Sequence, residues 1–136
     1  MDLQTALNTQ LYTVLSTDAT LATAMGGSVA LYLGWAKPDA PLPYICHLFA
    51  DLRANEGEWI TRSGTYLIHI WSSSNNTDEV MAIKDRIVTL VDEQDWDISS
   101  GGTEYVTALR LKLQAEMFVI EDTEDVWHYV MQFGAR

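Results

Sequence analysis

Three histidines, one cysteine and several closely spaced carboxylates are the residues of this 136-residue chain whose types could do chemistry. His47, His69 and His128 would hold a metal or carry a proton if Cys, Asp or Glu stood beside them at ligand spacing. None forms such a motif, and each lies in a strand-like stretch, so structural or surface roles are expected. Cys46 is the single cysteine, which rules out an intrachain disulfide; within Tyr44 to Leu48 it reads as a buried, unreactive thiol. Glu121, Asp122, Glu124 and Asp125 offer oxygens to a hard cation but lack the glycine-bearing calcium-loop pattern, so a solvated hairpin turn is the reading. Asp92, Glu93, Asp95 and Asp97 read as the solvated end of a helix. Ser28, Ser63 and Ser72 to Ser74 lack the glycine-flanked elbow of a nucleophilic serine. Gly26 with Gly27, and Gly101 with Gly102, form neither a phosphate loop nor a dinucleotide fingerprint. The sequence therefore calls for no catalytic residue, metal or cofactor, and no enzyme is expected.

The charge points the same way. Nineteen acidic against 8 basic residues give a net charge of -11, which repels phosphate backbones and anionic lipid. The same charge suits a passage through which DNA slides without sticking. No apolar run approaches the about 18 residues of a membrane span, nor does a basic leader open the chain, so a cytoplasmic site of synthesis is expected. With 48% apolar and 20% charged residues, 136 residues suit a single domain, 1–136, with one core.

The elements that must position these residues follow from periodicity. Leu3, Leu7, Leu11, Val14 and Leu15 recur at helical spacing over residues 2–15, with Asp2 as a candidate N-cap. Asp18 precedes a short second helix over Ala19 to Ala24 that Gly26 and Gly27 stop. Ser28 to Trp35 and Tyr44 to Phe49 read as strands, joined by a segment holding all three prolines. Residues 50–63 break the apolar pattern and read as a loop. Thr65 to Trp71 reads as a strand with Tyr66, Ile68 and Ile70 on one face and Leu67, His69 and Trp71 on the other. From Asp78 to Glu93, Val80, Ile83, Ile87, Leu90 and Val91 mark a long amphipathic helix, capped by Asn76, Thr77 or Asp78. Tyr105 to Ile120 and Val126 to Phe133 alternate as an antiparallel hairpin. The first of these would reach about 50 Å fully extended, so a bend or a projecting arm is expected. The fold class is α+β: a mainly antiparallel sheet, an N-terminal helix and one long amphipathic helix packed on it, and a long C-terminal β-hairpin.

In place of a catalytic site the sequence offers candidate contacts. Trp59 sits among charges in the irregular segment, with Asp51, Arg53, Glu56, Glu58 and Arg62 around it. Trp71 lies opposite the Tyr66, Ile68 and Ile70 face, where interface and core remain equally open. These seven residues are the candidate interface with other subunits or a partner.

Several ordered blocks are similar to one family. Leu3 to Leu7, Leu15 to Leu21 and Gly26-Gly27 resemble the entrance of the tail terminator, or tail completion, proteins of long-tailed bacteriophages. Pro38 to Ile45, Tyr66 to Ser72, Ala82 to Ile87 and Trp127 to Phe133 follow in the family's order. The tripeptide after Trp35 and the acidic hairpin turn depart from that pattern. The resemblance implies a structural protein without cofactor that assembles with itself into a closed ring, commonly a hexamer. Such a ring caps the tail tube, ends tail elongation and offers the head-joining surface. Its partners would be the tail tube protein and a head completion or stopper protein, with DNA passing through and no membrane involved. It would sit at the head-proximal end of the virion tail after assembly in the host cytoplasm. Alternatives are another head-tail connector ring, such as a stopper or adaptor, and a small-molecule or peptide-binding domain with a pocket of Trp59, Trp71 and His69. An enzyme would require Glu116 and Asp97 to be brought together.

Overall fold

The structure is a computed structural model that describes residues 3–54, 62–73, 77–100, 103–119 and 126–135. The elements run α1 (Leu3–Ser16), α2 (Ala19–Ala24), β1 (Leu31–Leu33), β2 (Tyr44–Ala54), β3 (Arg62–Ser72), α3 (Asp78–Val91), β4 (Asp95–Ser100), β5 (Thr103–Val119) and β6 (Trp127–Ala135). The architecture is the expected α+β one, with the strands ordered β1-β2-β3-β6-β5-β4.

Helical spacing places Leu7, Leu11 and Leu15 on one face of α1 and Val80, Ile83, Ile87 and Val91 on one face of α3, and all seven are fully buried. They meet the alternating set Ile45 and Phe49 of β2, Tyr66, Ile68 and Ile70 of β3, and Tyr129, Met131 and Phe133 of β6. One sheet face therefore carries the helices and the core, and among the described residues the other carries no helix. Asp18 caps α2 by accepting from the Leu21 N–H at 2.8 Å, as the sequence leads one to expect. At the other end, Gly27 N–H reaches Ala22 O and Gly26 N–H reaches Thr23 O. This paired closure needs a left-handed residue at the first glycine, and Gly26 has φ 93°. The Asp2 cap lies outside the described residues. Thr77 stands at the N-cap position of α3 without a side-chain capping bond, and the helix ends at Val91 rather than Glu93.

Four further expectations change. The first strand is Leu31–Leu33, not Ser28 to Trp35, because Gly34 at φ 81° turns the chain away. It pairs parallel to β2, whereas the other pairings are antiparallel. Residues 50–54 and 62–63 are strand rather than loop: a register shift between Phe49 and Asp51 lets β2 run on to Ala54 opposite Arg62. Pairing across a bulge overrides the polar composition there. Asp95–Ser100, where the sequence reads Asp95 and Asp97 as the solvated end of a helix, forms β4 against the first half of β5.

The long β5 bends by changing partners. Residues up to Arg110 pair with β4, and those from Leu111 onward pair with β6, with a register shift between Leu113 and Ala115. The β4-β5 hairpin thus extends past the end of β6, but β4 runs beside α1 and its Trp96 packs against the core, so the length is taken up by a bend rather than a free arm.

Candidate assembly surfaces

The helix-free sheet face is built from the residues that alternate with the core. Tyr44, Cys46 and Leu48 of β2 lie opposite Trp71, His69 and Leu67 of β3. Trp71, His69 and Leu67 in turn lie opposite His128, Val130 and Gln132 of β6. Five rings follow one another across four strands. Tyr32 meets Tyr44 edge to face at 5.8 Å, and Tyr44 meets Trp71 at 5.2 Å. Trp71 stacks on His128 at 4.0 Å and on His69 at 5.4 Å. The two imidazoles stack at 5.0 Å and share a hydrogen bond, His69 Nδ1 to His128 Nε2, at 2.8 Å. One nitrogen must donate and the other accept, so at least one ring keeps a lone pair. Burial, together with the charge of His128, pulls the His69 pKa below its ordinary value.

Trp71 is half-buried, with the hydrogen-bonded imidazole pair stacked against it. The rings pack on one another, and Trp59, the third residue of the suggested pocket, lies outside the described residues. Cys46 is buried beneath this face, and burial raises its thiol pKa against a hydrogen bond from the Ala36 backbone.

The remaining sequence-selected residues are elsewhere. Asp51 and Arg53 lie on β2 and Arg62 on β3, next to one another where the β2-β3 hairpin leaves the sheet. Glu56, Glu58 and Trp59 lie outside the described residues. Trp71 is nine residues along β3 from Arg62, or roughly 30 Å at strand rise, so it does not join that group. Glu116 is committed to Lys84 of α3 at 3.2 Å. Burial and the Glu116 charge push the Tyr129 pKa up to about 12. Among the described residues no three His, Cys, Asp or Glu side chains gather as a metal site, and no helix is long and apolar enough to cross a membrane.

On the core side, Asn8 of α1 accepts from the Phe49 N–H at 3.3 Å and from the Tyr66 hydroxyl at 3.1 Å. With that proton committed to Asn8, His47 Nδ1, 2.7 Å from the same hydroxyl, must be the donor to it. Burial holds the His47 pKa down to about 4. Sequence reasoning placed both His47 and Tyr66 in strands but missed this link, because Asn8 is remote in the chain.

Apart from Tyr12 on α1 and Leu48 on the helix-free face of β2, the exposed large apolar side chains among the described residues fall at the two sides of the sheet. Leu33 (58% exposed) and Trp35 (85%) stand at the β1 edge, and Met117 (63%) and Phe118 (41%) stand on the last part of β5. Asp92 Oδ1 accepts the Leu113 N–H at 2.7 Å, and the Glu93 N–H reaches Leu111 O at 2.8 Å, which covers the outer edge of β5 that far. From Ala115 to Val119 that outer edge has no strand partner among the described residues. Both features were hidden from sequence, since strand order decides which edges stay open.

Comparison with known proteins adds identity to this geometry. No curated protein matches the chain. A solved structure titled "Virion of native gene transfer agent (GTA) particle" is similar over 93% of this chain and 90% of its own, at a TM-score of 0.70 and 19% identity. A second solved structure is similar over 96% of this chain and 92% of its own, at 0.63 and 11% identity. At such identities these likenesses speak for the fold. The sequence profile described as Tail completion protein gp17 matches residues 9–136, nearly the whole length, and the chain belongs to that tail completion protein family.

Proposed function

We propose that this tail completion protein works as a closed ring, most simply a hexamer, that caps the virion tail tube, ends its growth and presents the surface to which the head joins. The observation that carries the reading is the family match across residues 9–136. The whole chain acts as one unit, a single domain that assembles in the host cytoplasm and stays at the head-proximal end of the tail. Its partners are other copies of itself, the tail tube protein and a head completion or stopper protein.

The register supports an orientation. Arg62 of β3 and Thr103 of β5 start at the same end of the sheet, because both strands run antiparallel to β6. The β2-β3 and β4-β5 hairpins therefore lie at one end, and with them Asp51, Arg53 and Arg62. We assign this end to the tube. Trp71, at the other end, belongs to the sheet face and not to the tube contact. The net charge of -11 fits a channel through which DNA passes without being held.

Adding purified protein to polymerising tail tube protein tests the reading. Tubes of limited length with a ring at one end are expected. Binding to head portals in preference to tube ends would instead identify another connector ring.

A further inference from the structure

We infer that copies of this chain join head to tail through their sheet edges, the outer edge of β1 in one copy pairing antiparallel with residues 115–119 of β5 in the next. The inference deepens the ring reading by naming the surfaces that close it.

Three observations converge. First, β1 is an edge strand, and Ala30 O and Gly34 N–H are the groups that bond β2. Strand alternation then turns the N–H groups of Leu31 and Leu33 outward. Second, the end of β5 is the other open edge, on the far side of the same sheet. Third, polarity fits. β1 runs with β2, β3 runs against it, β6 with it and β5 against it. A neighbour in the same orientation thus brings its β1 antiparallel to β5, the better-bonded arrangement, and brings Leu33 and Phe118 to the same, helix-bearing side.

An interface between two different edges of one sheet is heterologous, and repeating it by a rotation about an axis along the strands closes a ring. Every copy then points its hairpin end the same way, which a cap seated on a tube requires.

The test uses the full chain with Cys46→Ala as background and one introduced cysteine, Leu33→Cys in one preparation and Phe118→Cys in another, treated with a short bismaleimide that tolerates a one-residue slip in register. Mixed preparations should link into covalent dimers, neither preparation should link alone, and the double variant should give a ladder. Met117→Arg, at an exposed position, should keep the native circular dichroism and raise the concentration for half-assembly by about tenfold or more. An oligomer that gives no mixed link, a Leu33→Cys chain that links to itself, a Met117→Arg chain that assembles normally, or a chain that stays monomeric at every concentration would each overturn the inference. A ladder in a protein that fails to cap tubes would keep these edges and sink the tail reading instead.

Discussion

Arg86 of α3 grips Asp18 with both prongs of its guanidinium, Nε to Oδ2 and Nη2 to Oδ1, each at 2.8 Å. The same carboxylate caps α2, so one side chain fixes the start of one helix and ties it to another. The hydrogen bonds from Arg86 lead in lowering the Asp18 pKa to about 2, from an ordinary 3.8.

Asp18→Ala should lose about 1 kcal/mol for the cap alone, with a further loss from the stranded guanidinium. Asp18→Asn, which can still cap, should lose less. Urea unfolding at pH 7 checks the order. Because the carboxyl is harder to protonate folded than unfolded, its contribution is complete above pH 3.8 and should fade as pH drops toward about 2. In Arg86→Gln that acid dependence should shrink.

The link from Asn8 through Tyr66 to His47 predicts a second pH dependence. His47 takes a proton at about 4 in the folded chain against 6.5 unfolded, so the unfolded state binds more protons between these values. Stability should be level above pH 6.5, fall as pH drops to about 4 and level off below. Tyr66→Phe should cost about 1–3 kcal/mol, since it leaves the buried His47 N–H without its acceptor. Thermal unfolding across this pH range, with His47 titrated by NMR, measures both.

His128 depresses the His69 pKa by its charge, second to burial. Replacing His128 with Asn should therefore raise the His69 pKa toward its ordinary value while leaving that of His47 unchanged. A two-dimensional NMR titration of the imidazoles distinguishes the pair from the isolated ring.

Ile87 is fully buried between α3 and the sheet. Ile87→Ala should cost about 2–5 kcal/mol by emptying that space. Thr89→Ala, on the exposed side of the same helix, should change stability by less than about 0.5 kcal/mol. Chemical denaturation of the two variants checks the assignment of faces.

These contrasts mark what was readable beforehand. The spacing of Val80, Ile83, Ile87 and Val91 is a local quantity, so α3 and its buried face followed from it. The alternation of Tyr66 with Leu67 likewise separated the two faces of β3. Residues 50–54 misled because their pairing partner lies across a bulge, and composition carries no trace of that. The aromatic run ending in the His69–His128 contact needed the β3-β6 pairing, which skips α3, β4 and β5 in the chain. Of the candidate contact residues, the grouping of Asp51, Arg53 and Arg62 was legible from sequence proximity, while the separation of Trp71 became visible only with strand length. The open edges depend on strand order, a global property that no window of sequence contains.

The lone thiol of Cys46 also gives the molecule an internal clock. It lies beneath the ring-bearing face, beside the Ala36 backbone, on the strand that joins β1 to β3. A thiol reagent added to the native chain can modify it only in molecules whose sheet has opened, so the labelling rate counts opening events without any inserted probe. If the edges of neighbouring copies clasp β1, that rate should slow as the chain assembles, and the same residue would then time the release of a subunit from its neighbours.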